Sequence, residues 1–114
     1  MSDLTLASVL HPVTDLDEAK TVFGALVGAE PMADSPYYVG YDIGGVQLGL
    51  VPNAAAQGLT APTAFWGTDD LEATVAGMES AGATVVQQPT DVGGGARTAK
   101  VTDTDGNTIG LIQK

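Results

Sequence analysis

His11 is the only imidazole in this 114-residue chain, so a general base or a nitrogen metal ligand has to be sought there first. A metal site would also need carboxylates nearby. The closest acids in sequence, Asp15, Asp17 and Glu18, stand where a helix would start and are explained by capping it. Cysteine is absent, which removes thiol nucleophiles, disulfides and thiolate metal sites together. Gly93-Gly94-Gly95 after Asp91-Val92 has the look of a phosphate cradle. A P-loop needs a following helix and a lysine, however, and here a strand follows, so the run reads as a flexible rim loop that would suit a mobile lid. Tyr37, Tyr38, Tyr41, Phe65 and Trp66 carry nearly all the aromatic surface, able either to stack a flat or apolar ligand or to fill a core. Gln47 is a candidate hydrogen-bonding contact, and Arg97, near the glycine run, could hold an anion or pair with a surface acid. No Ser-His-Asp order, close pair of catalytic carboxylates or dinucleotide fingerprint stands out.

The elements that must position these residues come from two halves of one pattern. Val13-Thr14-Asp15-Leu16 opens an amphipathic run that ends at Gly28, and Thr68-Asp69-Asp70-Leu71 opens a second that ends at Gly82. Leu16, Ala19, Phe23 and Leu26 share a face at helical spacing, with Asp15 and Glu18 as a capping box and Gly28 as the stop. Leu71, Val75 and Met78 form the second stripe, with Asp69 and Glu72 at its start. Period-two stretches at residues 5–13, 37–41, 46–51, 62–68, 84–87, 96–101 and 108–112 predict strands. Asp42-Ile43-Gly44-Gly45-Val46-Gln47-Leu48-Gly49-Leu50 is echoed by Asp103-Thr104-Asp105-Gly106-Asn107-Thr108-Ile109-Gly110-Leu111. Each half therefore reads β-α-β-β-β, about 1–53 and 60–114, joined by a linker at about 54–59 within a single domain. Strand alternation sets His11 with Val9 and Val13 toward a helix, opposite Ser8, and sets Phe65 with Thr63 on the face away from Trp66.

Composition narrows the partners. A chain with 44% hydrophobic and 16% charged residues is a globular one. Four Lys and Arg against 14 Asp and Glu, net −10, argue against nucleic acid and anionic membrane surfaces; the surplus keeps the protein soluble or attracts cationic ligands. Met1-Ser2-Asp3-Leu4 lacks a basic start followed by an apolar run, and no apolar stretch is long enough to span a bilayer, so a cytoplasmic protein is expected.

Val13-Thr14-Asp15-Leu16, Asp70-Leu71, Gly82 and Asp103-Thr104-Asp105-Gly106-Asn107 resemble the vicinal-oxygen-chelate superfamily, the group of glyoxalases, bleomycin-resistance proteins and extradiol dioxygenases. Thr104 stands where the family's D-P-D-G-N run has proline. The resemblance implies an α+β fold in which two βαβββ half-modules form a cup-shaped sheet with helices on the outer face. It also implies a metal held by His or Gln on the first strand and Glu on the last strand of the halves. The matching positions here are Ser8, Thr63, Gly49 and Gly110, none of them a good ligand for a divalent ion. The glycines would widen the floor of the cup.

The expectation is thus a metal-independent small-molecule binding protein that resembles the resistance proteins and sequesters a drug-like or hydrophobic metabolite. No cofactor is expected, and family members often pair as homodimers. The cup would be lined by Ser8, Leu10, Tyr41, Gln47, Gly49, Thr63, Phe65, Arg97 and Gly110. The alternatives are a lyase, isomerase or dioxygenase of the same superfamily with displaced ligands, a metal-free catalyst using His11 or a tyrosine, and an accessory or interaction module whose cup is vestigial.

Overall fold

Both helices begin where a carboxylate satisfies a free backbone N–H. In the computed structural model, which describes residues 4–114, Asp15 accepts a hydrogen bond from the Glu18 N–H at 3.1 Å and opens α1, Leu16–Val27. Gly28, at φ 72°, closes it by donating to the Gly24 carbonyl at 2.8 Å. Residues 1–3, on which the expectation of no export leader partly rests, lie outside the described residues. α2, Leu71–Ser80, is capped by Asp70, one residue later than expected, through the Ala73 N–H at 3.0 Å. Ala81 still has right-handed geometry, and Gly82, at φ 114°, turns the chain away.

The strands are β1 Thr5–Pro12, β2 Ala33–Ser35, β3 Tyr38–Ile43, β4 Val46–Val51, β5 Thr63–Gly67, β6 Thr84–Gly93, β7 Ala96–Thr102 and β8 Thr108–Gln113. This is the expected α+β arrangement of two βαβββ half-modules, with two departures. β2, three residues long, carries no sequence signal of its own, and β6 runs to ten residues where four were expected. The glycine run is not a rim loop: Gly94 and Gly95, both at positive φ, form the tight turn of the β6–β7 hairpin. Asp103 staples the other late turn, accepting from the Asp105 and Asn107 N–H groups at 2.9 Å each and from the Asn107 side chain at 3.2 Å. These bonds hold its carboxyl below the usual carboxylate range, so the motif residue serves the turn.

The chain divides into two compact units, Ser8–Thr63 and a second made of the stretch through Ala7 with Ala64–Lys114. In the first, the strand order is β2-β3-β4-β1, with β1 parallel to β4. Its helix-side core is Val39, Tyr41 and Leu50 under Leu16, Ala19, Phe23 and Val27 of α1. Leu26, expected in that stripe, is 76% exposed; from Phe23 the helix packs the residue four along, the partly buried Val27, against the core. In the second unit the order is β5-β8-β7-β6, with β5 parallel to β8. Leu71, Val75 and Met78 of α2 pack there with Trp66, Ala99 and Leu111. Among the described residues, no helix is long and apolar enough to cross a membrane.

Candidate functional site

Register decides which side chains share a face. In the first unit β1 runs beside β4 with Ser8 opposite Gln47 and Leu10 opposite Gly49. These four stand on the face away from α1, with Tyr38 and Gly40 of β3, because Gly40 pairs with Gly49. The glycine does not open a floor. A Cβ built on Gly49 would lie 2.5 Å from the Tyr38 hydroxyl and 2.8 Å from a Leu10 methyl, so those side chains occupy the space. The linker adds to the cover: Ala54 and Leu59 pack with Val51, Leu10 and Tyr38. Burial pushes the Tyr38 phenol above its ordinary value.

The second unit repeats the device. Phe65 on β5 is opposite Gly110 on β8, and a Cβ on Gly110 would meet three carbons of the Phe65 ring at 2.5–2.7 Å. Phe65 retains 5% exposure, so its ring is seated on the glycine and offers little face to a ligand. At the end of the first unit, the buried Thr63 hydroxyl donates to the Ala61 carbonyl at 2.9 Å. Each of the positions that the family resemblance marks for metal ligands therefore fails a donor test. Gly49 and Gly110 have no side chain and no free space above them, and Thr63 and Ser8 offer only neutral hydroxyls, weak ligands for a divalent ion. No cluster of three or more His, Asp or Glu suited to a metal occurs among the described residues.

Two expected cup residues lie on the helix faces instead. Tyr41 is buried under α1 with its hydroxyl 3.4 Å from the Lys20 carbonyl oxygen. Tyr37, expected to share its face, precedes β3 and is exposed, so it gave no guide to the phase of that strand. Arg97 forms a two-pronged pair with Glu72 of α2, one contact at 3.0 Å, and reaches Gln113 at 3.3 Å. The Arg97 guanidinium holds the Glu72 carboxyl down at about 2. His11 packs edge-on to Phe23 of α1, ring centroids 4.8 Å apart, as strand alternation predicts. Neither the histidine nor Tyr41 is placed to serve the opposite face.

What sequence reasoning missed is Lys100. It is the cross-strand partner of Gly110 and lies over the Phe65 ring, its Nζ 5.9 Å from the ring centroid. It donates to the Gln87 side-chain oxygen, and the Gln87 amide donates to the Thr98 hydroxyl at 3.3 Å. Gln87 reaches this face through a register shift: Val85 pairs with Val101 and Gln87 with Lys100, leaving Val86 as the extra residue of a bulge. Burial lowers the Lys100 ammonium below its ordinary value. Arg97, Ala99 and Val101 alternate toward α2, so Thr98 and Lys100 face the other way; the two apolar residues were the available signal. Surface depressions of about 550 and 420 Å³ lie beside α1, the first against the Lys20–Asp34 ion pair and the second against Lys20 and Tyr41; neither is lined by Lys100, Gln87, Thr98 or Phe65.

Comparison with known proteins agrees with this architecture. The sequence profile of the Glyoxalase/Bleomycin resistance protein/Dioxygenase superfamily matches residues 5–111, and the chain belongs to that superfamily. No curated protein sequence matches it. Among solved structures it is similar to a hypothetical protein from Bacillus halodurans at 14% identity and TM-score 0.78, covering 98% of this chain and 95% of that one. It is also similar to a protein from Legionella pneumophila described as an NAD-dependent benzaldehyde dehydrogenase, at 15% identity and TM-score 0.75, covering 93% and 96%. A third is a Streptomyces coelicolor methylmalonyl-CoA epimerase in complex with 2-nitronate-propionyl-CoA, at 18% identity and TM-score 0.70, covering 96% and 94%. At these identities the likeness is one of fold.

Proposed function

We propose that this protein is a metal-independent small-molecule binder of the glyoxalase and bleomycin-resistance type, one that holds its ligand without turning it over. The observation that carries the reading is the repeated seating of an apolar side chain on a glycine, Leu10 and Tyr38 on Gly49 and Phe65 on Gly110. It occurs where the superfamily resemblance would put metal-ligating side chains. Taken unit by unit, the candidate ligand-facing groups are Ser8 and Gln47 on the first, with Leu10, Gly49 and Thr63 as its supporting residues, and Lys100, Gln87, Thr98 and the partly exposed Ile112 on the second, with Phe65 and Gly110 as its supporting residues. A drug-like or hydrophobic metabolite remains the ligand class, and the epimerase with its bound acyl-CoA analogue is support by analogy of fold.

The same reading takes the two half-modules as one domain and the protein as a cytoplasmic homodimer, to be checked by light scattering and cell fractionation. The primary test is native mass spectrometry with and without added Zn²⁺, Mn²⁺ and Ni²⁺. A mass unresponsive to metal, with any small molecule retained on purification, is the expected result. One metal ion held by each chain overturns the reading.

A further inference from the structure

In a chain with four Lys and Arg and 14 Asp and Glu, the fate of each cation is informative. Lys20 is paired with Asp34 at 3.0 Å, Arg97 is paired with Glu72, and Lys114 is exposed. Lys100 differs from each of them. It is partly buried on a sheet face, and its hydrogen-bond partner is the neutral Gln87 side chain.

The hydrogen-bond directions on that face point one way. An ammonium has three donors and no acceptor. Lys100 uses one on the Gln87 oxygen, which turns the Gln87 amide nitrogen toward the Thr98 oxygen. The Thr98 hydroxyl, accepting there, keeps one hydrogen to donate, and it has no acceptor among the described residues. Lys100 and Thr98 are two residues apart on β7 and so share a face, both ending in donors. A site of donors carrying one fixed positive charge fits an oxyanion with one negative charge. A dianionic phosphate calls for more charge than this, and the neighbouring Arg97 is held on the opposite face by Glu72. Ile112, the cross-strand partner of Thr98, supplies an apolar neighbour.

We propose that Lys100, with Thr98 and Gln87, forms an anion-recognition site for a small organic monocarboxylate bearing an apolar body. This rests on the binder reading and names its ligand class. The ammonium and the Thr98 hydroxyl hold the carboxylate, Gln87 fixes both donors, and the body lies toward Ile112.

The test is an NMR titration of the intact, ¹⁵N-labelled protein with benzoate and propionate, against benzamide, propionamide and inorganic phosphate. The expected result is saturable shifts at Lys100, Thr98 and Gln87 with the carboxylates, and markedly weaker binding of the amides. Lys100→Met should weaken benzoate binding by about ten- to a hundred-fold, the usual worth of a hydrogen bond to a charged group. Lys20→Met, which removes the exposed Asp34 pair, should leave it unchanged. A retained amide spectrum shows that the variants are folded. Benzamide binding as well as benzoate, Lys100→Met binding as well as the natural chain, phosphate binding in preference to carboxylates, or no saturable shift with any carboxylate would each overturn the proposal. Those outcomes are separate from failure of the binder reading, which is decided by metal uptake in native mass spectrometry. A neutral probe that binds this face without regard to Lys100 would remove the anion and leave the binder.

Discussion

Gly110→Ala puts one methyl group where the structure has the Phe65 ring. The backbone does not object, since Gly110 is not among the glycines at positive φ. The ring does: three of its carbons lie 2.5–2.7 Å from the new Cβ, and normal carbon contacts need the ring to retreat by about 1 Å. Overpacking of this kind costs about 1–3 kcal/mol, and the stiffer unfolded chain returns about 0.4–1 kcal/mol. A net loss of about 1–2 kcal/mol is expected, read as a lower urea midpoint by circular dichroism. Phe65→Ala alone should cost about 3–5 kcal/mol, because the ring is buried. In that background the clash is gone, and Gly110→Ala should become neutral or mildly stabilising. Gly77→Ala is the control, an exposed helix position with nothing within 4 Å, and should gain about 0.5–1 kcal/mol. Equal losses from Gly110→Ala with and without Phe65 would refute the seating of the ring on the glycine.

Asp70→Ala should destabilise by about 1 kcal/mol through loss of the α2 cap, measured by the same denaturation. Glu72→Gln tests the exposed Arg97 pair. The Glu72 carboxyl, held at about 2 against an ordinary 4.5, contributes stability above the higher value that is lost as pH falls toward the lower. Urea midpoints should therefore favour the natural chain slightly at neutral pH, with the difference vanishing near pH 2. Lys100→Met runs the opposite way. Its ammonium is disfavoured by burial, so the variant should be at least as stable at neutral pH. The natural chain should close that gap as pH rises from the lowered value through the ordinary 10.5.

The helices were readable because capping carboxylates and helical spacing are local signals, and Asp15, Gly28 and the Leu71–Val75–Met78 stripe stand as read. Asp69 against Asp70 and Leu26 against Val27 went the other way, since adjacent candidates differ only in which one tertiary packing selects. Strand phase was legible where apolar neighbours fix it, as for His11, Phe65 and Trp66. It failed for Tyr41, whose only guide, Tyr37, lies outside the strand. Gln87 depended on a bulge that no residue type announces. The glycines at 49 and 110 were located correctly by repeat and spacing, but their meaning was not. Whether a glycine leaves room or receives a ring depends on the residue opposite, and that is set by the Leu10–Gly49 and Phe65–Gly110 register.

In the proposed reading, the missing metal donors and the Lys100 ammonium, which has no carboxylate partner among the described residues, belong to one chemistry. Where the superfamily resemblance expects a carboxylate, the chain has Gly110, and directly across the β7–β8 ladder it has Lys100. Cross-strand partners sit about 5 Å apart at Cα, a range over which unit charges interact by a few kcal/mol at an intermediate dielectric. A carboxylate there would attract a divalent cation; an ammonium repels one and attracts an oxyanion. The Phe65 ring, filling the space over Gly110 and lying beneath the Lys100 ammonium, serves both sides of that exchange. It fills the room over Gly110, and its π-face favours the Lys100 cation that the proposed reading puts to use there. Loss of the donors alone would leave an inert face. On the proposed reading, a cation without a carboxylate partner among the described residues, beside Gly110, makes a face that would prefer an oxyanion to a divalent cation.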